Sequence, residues 1–86
     1  MPELSRFYGI VIKMYYNDHN PPHFHAEYGG NQIVVDIGTL GVIGGRLSPR
    51  ATGLVMEWAA SHQADLRNAW QQARNMEPLD RIAPLP

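Results

Sequence analysis

The chain contains no cysteine. Disulfides and thiolate metal sites are therefore excluded, and stability has to come from packing. The absence also fits a reducing compartment, so a cytoplasmic location is the expectation. No apolar run is long enough to cross a bilayer, and the start, Met1-Pro2-Glu3-Leu4-Ser5-Arg6, lacks the basic-then-apolar order of a secretion signal. No membrane association is expected. Neither charge dominates: seven basic and eight acidic residues leave a net charge of −1. A protein that grips nucleic acid by neutralising phosphates is normally more basic, so direct nucleic-acid binding is not expected. There is no internal repeat, phosphate-cradling glycine loop or nucleophile elbow either. The sequence therefore carries no complete catalytic signature.

What is present is enough for one small domain, residues 1–86, with 44% hydrophobic residues. A chain of this size buries only about 60% of its unfolded surface, so its core has little to spare. Residues 6–16 are rich in β-branched and aromatic types and read as one long first strand. Its even positions, from Tyr8 to Tyr16, are apolar, and its odd positions are mixed. Asn17, Asp18 and Asn20 then favour a turn, and Pro21-Pro22 stiffens it. Residues 23–28 and 32–37 form a second and third strand around Gly29-Gly30, a two-residue turn needing positive φ. That turn fixes a register running from Tyr28 opposite Asn31 to His23 opposite Asp36. Residues 42–47 make a weaker, glycine-broken fourth strand.

Ser48-Pro49 is a helix start, with a capping serine and proline at the first helical position. Apolar residues at helical spacing continue to Ala73, which predicts one amphipathic helix over 49–75. Ser61 offers a second start, so a kink or break near His62 is allowed for. Residues 76–86, with Pro78, Pro84 and Pro86, are read as an extended tail whose Leu79, Ile82 and Leu85 lie along the core. The predicted class is α+β: an antiparallel four-stranded β-meander with one long C-terminal amphipathic helix packed on one face.

One helix covers one side of such a sheet. In this arrangement Lys13, Tyr15, His23, His25, Glu27, Gln32, Asp36 and Arg46 collect on the other, with Lys13 paired to Glu27 and Tyr15 to His25. The plain alternative is a solvated sheet face, which antiparallel sheets commonly have. The functional reading starts from His23 and His25, two residues apart on a strand and so on the same side. With His19, and with Glu27 or Asp36 as a further donor, they are candidate ligands for a weakly held divalent metal; no other cofactor is expected. The same pair could exchange protons in RNA cleavage, with Lys13 or Arg46 steadying a phosphate. The catalytic candidates are thus His23, His25 and Lys13, although an enzyme is not the preferred reading because an open sheet is flat. His62, Trp58 and Trp70 lie on the apolar stripe of the helix and are read as core.

The segments Ser5-Arg6-Phe7-Tyr8-Gly9-Ile10-Val11-Ile12 and Met14-Tyr15-Tyr16-Asn17-Asp18-His19-Asn20-Pro21-Pro22-His23-Phe24-His25-Ala26-Glu27-Tyr28-Gly29 resemble a small bacterial family, domain of unknown function 4160. Trp58-Ala59 with His62, and Trp70, are similar to its pattern as well. The resemblance spans nearly the whole chain. It implies one half of a compact two-gene, toxin–antitoxin-like unit, and so a regulatory module that binds the protein product of a neighbouring gene. It supplies no catalytic residues. Typical members carry acidic residues where this chain has Gly38-Thr39-Leu40-Gly41, which moves any expected function away from that turn. On this reading Tyr15, His19, His23, His25, Glu27, Asp36 and Arg46 form the partner-binding surface, together with the Pro-Pro loop.

Overall fold

The computed structural model describes residues 2–86 and is α+β, with all strands in one antiparallel sheet. The strands β1 (Glu3–Phe7), β2 (Ile10–Lys13), β3 (His23–Tyr28), β4 (Asn31–Asp36) and β5 (Val42–Gly45) lie side by side in chain order. Two helices follow, α1 (Pro49–Ser61) and α2 (Gln63–Arg74).

The predicted strand over 6–16 is in fact a hairpin. Tyr8 and Gly9 take φ of 52° and 81°, and the chain reverses between β1 and β2. Positive φ at both central residues is the turn that suits the right-handed twist of paired strands. Tyrosine rarely adopts that conformation, and the apolar run continues straight through it, so the reversal leaves no pattern break. The exchange gives the core two more residues, since Leu4 and Phe7 are both buried. Beyond Lys13 the chain leaves the sheet, so Met14, Tyr15 and Tyr16 are not strand.

The register across Gly29-Gly30 is the predicted one at all six pairs, from Tyr28↔Asn31 to His23↔Asp36. Between β2 and β3 it differs by two residues: Lys13 faces His25 and Val11 faces Glu27. A two-residue slip preserves which face each side chain takes. The predicted contacts therefore survive on the diagonal. Lys13 Nζ lies 3.0 Å from Glu27 Oε1, and the Tyr15 and His25 rings meet edge-on at 4.5 Å.

β5 ends at Gly45, two residues short of the predicted strand. Leu47 instead turns into the core, and Ser48 Oγ accepts the Ala51 N–H at 3.2 Å to start α1. The single predicted helix is interrupted at His62, whose φ and ψ of −129° and 24° are not helical. The break is held by side chains. His62 Nδ1 lies 2.9 Å from the Trp58 carbonyl oxygen, its ring stacks on Trp58, and Gln63 Nε2 donates to the Ile37 carbonyl at 2.8 Å. Bending there brings both apolar stripes onto the sheet: Ala51, Val55, Trp58 and Ala59 from α1, and Leu66, Ala69, Trp70 and Ala73 from α2.

Trp58 is the centre of that layer, fully buried between Phe7 and Phe24. Its Nε1–H donates to the Ala83 carbonyl at 2.8 Å and so ties down the tail. The tail also gives the core Ile82, whose N–H donates to the Leu4 carbonyl beside β1 at 2.8 Å, and it ends with the Tyr8 hydroxyl donating to Pro86. Leu79 and Leu85 pack partly against the core, as the sequence suggests. On the opposite side of the sheet Val11, Lys13, His25, Glu27, Gln32 and Val34 stay half-buried or exposed.

Candidate functional site

The loop between β2 and β3 carries Asp18, His19, Asn20, Pro21 and Pro22. It is fastened to two elements. The Ile37 N–H donates to the Pro22 carbonyl at 3.0 Å at the end of β4. The Asn17 N–H reaches the Ala73 carbonyl at 3.4 Å, and Arg74 Nη1 donates to Asn20 Oδ1 at 3.3 Å, both at the end of α2. Proline removes donors and freedom together, so these few bonds suffice to fix the loop.

That fixed loop lays the Asp18 carboxylate over the start of β3. Its Oδ1 accepts the His19 N–H at 2.8 Å, leaving Oδ2 aimed at two imidazoles. His23 Nε2 is 2.9 Å from Oδ2 and His25 Nε2 is 3.8 Å from the same oxygen. The second separation is too long for a hydrogen bond. Both ring nitrogens of His25 are buried with no hydrogen-bond partner. The three donor atoms of Asp18, His23 and His25 all lie within 4.8 Å of one another. His19 stands at the rim, its side chain 86% exposed and its Nε2 3.7 Å from Asp18 Oδ1.

The site was expected to present both imidazoles to solvent. His25 is half-buried, and the His23 side chain is only 4% exposed, which corrects that expectation. The break at His62 lets α2 reach the loop end of the sheet, and Trp70 meets the His23 ring at 5.2 Å. Around His23 the rings of His19, His25 and Trp70 leave no room for a flat, open surface.

The environment also sets charge. Burial, then the neighbouring His23, hold the His25 imidazole below the usual histidine range, against a weaker opposite pull from Asp18. Burial pushes Asp18 up, but the His19 N–H, with His23 and His19 as its other neighbours, outweighs that and holds it below the usual carboxylate range. Asp18 is therefore a carboxylate, and His25 a neutral ring, at neutral pH.

The other predicted residues divide. Tyr15 belongs to the site, edge-on to His25. Lys13 and Glu27 lie on the same face but are engaged with each other, so the Lys13 ammonium is neutralised. Asp36 does not join the histidines, because its Oδ1 accepts the Gly38 and Thr39 N–H groups at 2.7 and 3.0 Å and builds the turn before β5. Arg46 lies at the opposite end of β4, where its N–H donates to Gln32. Asp18 is the residue the sequence reading missed. In the sequence it reads as a turn former, and the signal that marks it is its place in the Asp-His-x-Pro-Pro-His-x-His run. Further along the exposed face, a shallow depression of about 520 Å³ is lined by Val11, Tyr15, Glu27, Tyr28 and Gln32, among others.

A family model described as Domain of unknown function (DUF4160) matches residues 9–71, which include this whole site. No curated protein and no solved structure matches the chain. No helix among the described residues is long and apolar enough to cross a membrane.

Proposed function

The chain belongs to the DUF4160 family, and from that premise we propose that it is a small interaction module that docks a folded protein, the product of a neighbouring gene. The observation that carries this reading is the sheet face left bare by both helices and the tail. On it half-buried Val11 and Val34 alternate with the Lys13–Glu27 pair, and Tyr15 and Tyr28 flank the depression. Tyrosine beside apolar and paired polar groups is the composition that protein interfaces favour.

Size decides how much of the surface is used. Five strands about 4.8 Å apart and about 17 Å long make a plane of roughly 400 Å². A stable complex removes about 800 Å² from each partner. The bare face alone is too small, so the fastened Pro21-Pro22 loop has to take part. A loop already held on two sides loses little entropy on docking.

The test is co-purification of the tagged chain with the product of the adjacent reading frame. Val11→Glu and Tyr15→Ala are expected to reduce recovery of the partner at least about tenfold, while Glu57→Ala, exposed on the helix side, leaves it unchanged. Full recovery with both face variants would refute the assignment of this surface.

A further inference from the structure

The His23 ring poses a problem of protons. Its Nδ1 lies 2.6 Å from the Pro21 carbonyl oxygen and its Nε2 lies 2.9 Å from Asp18 Oδ2. Both neighbours are acceptors only, and a neutral imidazole carries one N–H. Whichever tautomer the neutral ring takes, one lone pair faces another across a hydrogen-bond distance. Two arrangements relieve this: a second proton on the ring, or a cation between Nε2 and Oδ2.

His25 distinguishes them. A second proton on His23 satisfies His23 and Asp18 but does nothing for His25, whose two nitrogens remain buried without partners. A buried polar atom without a partner costs about 1–3 kcal/mol. A cation that draws a lone pair from each ring and one from the carboxylate satisfies His23 and Asp18 and gives His25 Nε2 a partner as well, leaving only His25 Nδ1 without one. The supporting contacts fit the same answer. A metal-bound histidine normally donates its other N–H to a carbonyl or carboxylate, and His23 Nδ1 lies against Pro21 O. The Asp18 carboxylate is oriented by the His19 N–H on Oδ1, which frees Oδ2.

We propose that Asp18 Oδ2, His23 Nε2 and His25 Nε2 form a binding site for a divalent transition metal of the zinc class, with His19 at the rim able to supply a fourth donor. Metal–ligand bonds near 2.1 Å in a tetrahedron place donors about 3.4 Å apart. The observed 2.9 and 3.8 Å bracket that value, so small ring movements complete the geometry. Two nitrogens and one oxygen, without sulfur, suit zinc, iron(II) or nickel(II) and do not suit magnesium or calcium, which prefer all-oxygen sites. The site shares Tyr15 and the Pro21-Pro22 loop with the docking face, but Val11 belongs to that face alone and zinc binding is read without a partner, so failure of one proposal is distinguishable from failure of the other.

The experiment is calorimetric titration of the chelator-treated full chain with zinc chloride, followed by cobalt(II) absorption to read coordination number. One equivalent is expected to bind with a dissociation constant of about 1 μM or below. Asp18→Asn and His25→Gln, which keep size and polarity, are each expected to weaken binding at least about tenfold, and Glu57→Ala, at an exposed position of α1, to leave it unchanged. Nitrogen-15 spectra of the unsubstituted chain give a readout that needs no variant: zinc shifts His23 and His25 Nε2 and leaves His62 in place. The proposal is overturned if binding is absent up to about 100 μM, if both substituted chains bind like the original, or if zinc moves only the exposed His19 resonances.

Discussion

Gly45 offers the sharpest quantitative test of the fold that positions these residues. Gly29 and Gly30, in the turn between β3 and β4, and Gly45, at the end of β5, all have positive φ, at 59°, 84° and 73°. They differ in their surroundings. A Cβ added at Gly29 or Gly30 would meet nothing within 4 Å, whereas at Gly45 it would stand 2.1 Å from the Gln32 carbonyl oxygen and 3.1 Å from Ile33 Cα. Alanine at the first two therefore costs only the left-handed backbone, about 1–2 kcal/mol. At Gly45 the backbone of β4 has to move, which adds about 1–3 kcal/mol of overpacking. The displaced carbonyl is also the one that accepts the Arg46 N–H at 3.0 Å, and weakening that bond adds about 1 kcal/mol. The sum for Gly45→Ala is about 3–6 kcal/mol, a large share of the 5–15 kcal/mol that holds a small domain together. Urea unfolding followed by tryptophan fluorescence reads the difference. With a slope of about 1.5 kcal/mol/M, the Gly45→Ala midpoint should fall by roughly 2–4 M and the other two by about 1 M. Three equal shifts would mean that close approach between β4 and β5 plays no part, and the packing argument would fail.

Other expectations concern the core, the surface and the site. Trp58→Phe removes the indole N–H that holds Ala83; a loss of about 1–2 kcal/mol is expected, together with faster hydrogen exchange at the Ile82 amide than at Ile12, and unchanged exchange at Ile82 would show that the tail does not depend on this bond. Lys13 and Glu27, both partly solvated, should show a coupling of about 1 kcal/mol or less in a double-mutant cycle; a much larger value would place the pair in a drier setting than the structure gives. Acid should weaken the chelator-treated fold in two stages. His25, facing His23, Asp18 and Tyr15, sits below its ordinary range, so on acidification the unfolded chain takes up its proton first; stability falls as pH drops from the ordinary histidine range towards the folded value. Asp18 adds a second loss below the ordinary carboxylate range, by the same sign. Urea midpoints measured from neutral to acidic pH check this, and a midpoint that rises on mild acidification would contradict it.

The parts of the fold that were legible in the sequence are those fixed by local chemistry. Gly29-Gly30 admits one short turn, and from it all six pairs of β3 and β4 follow. Ser48-Pro49 marks a helix start by capping and by a missing donor, and the structure places α1 there. What was not legible depends on distant partners. Nothing local turns the chain at Tyr8-Gly9; the reversal rests on burying Leu4 and Phe7 against the helices, and tertiary packing overrides the tyrosine's backbone preference. The helix break was only half visible, because Ser61 hints at a restart but the ring of His62 and the amide of Gln63 hold it. At the site, strand alternation correctly put His23 and His25 on one side. It could not reveal that Trp70, far along the chain, would close over one of them, or that Asp18 would fold back above both.

The tail beside β1 has a consequence for self-association. Ile82 occupies the Leu4 carbonyl, and Pro84 and Pro86 that follow carry no N–H to offer a neighbouring strand. The tail thus blocks the β1 margin at this point, and β5 forms the sheet's other margin. Two molecules joined along β5 back to back would leave only the tail-flanked β1 margins facing outward, which disfavours further growth of the native fold into a fibril. Removing the tail would restore a second border and, with it, the route to open-ended polymer.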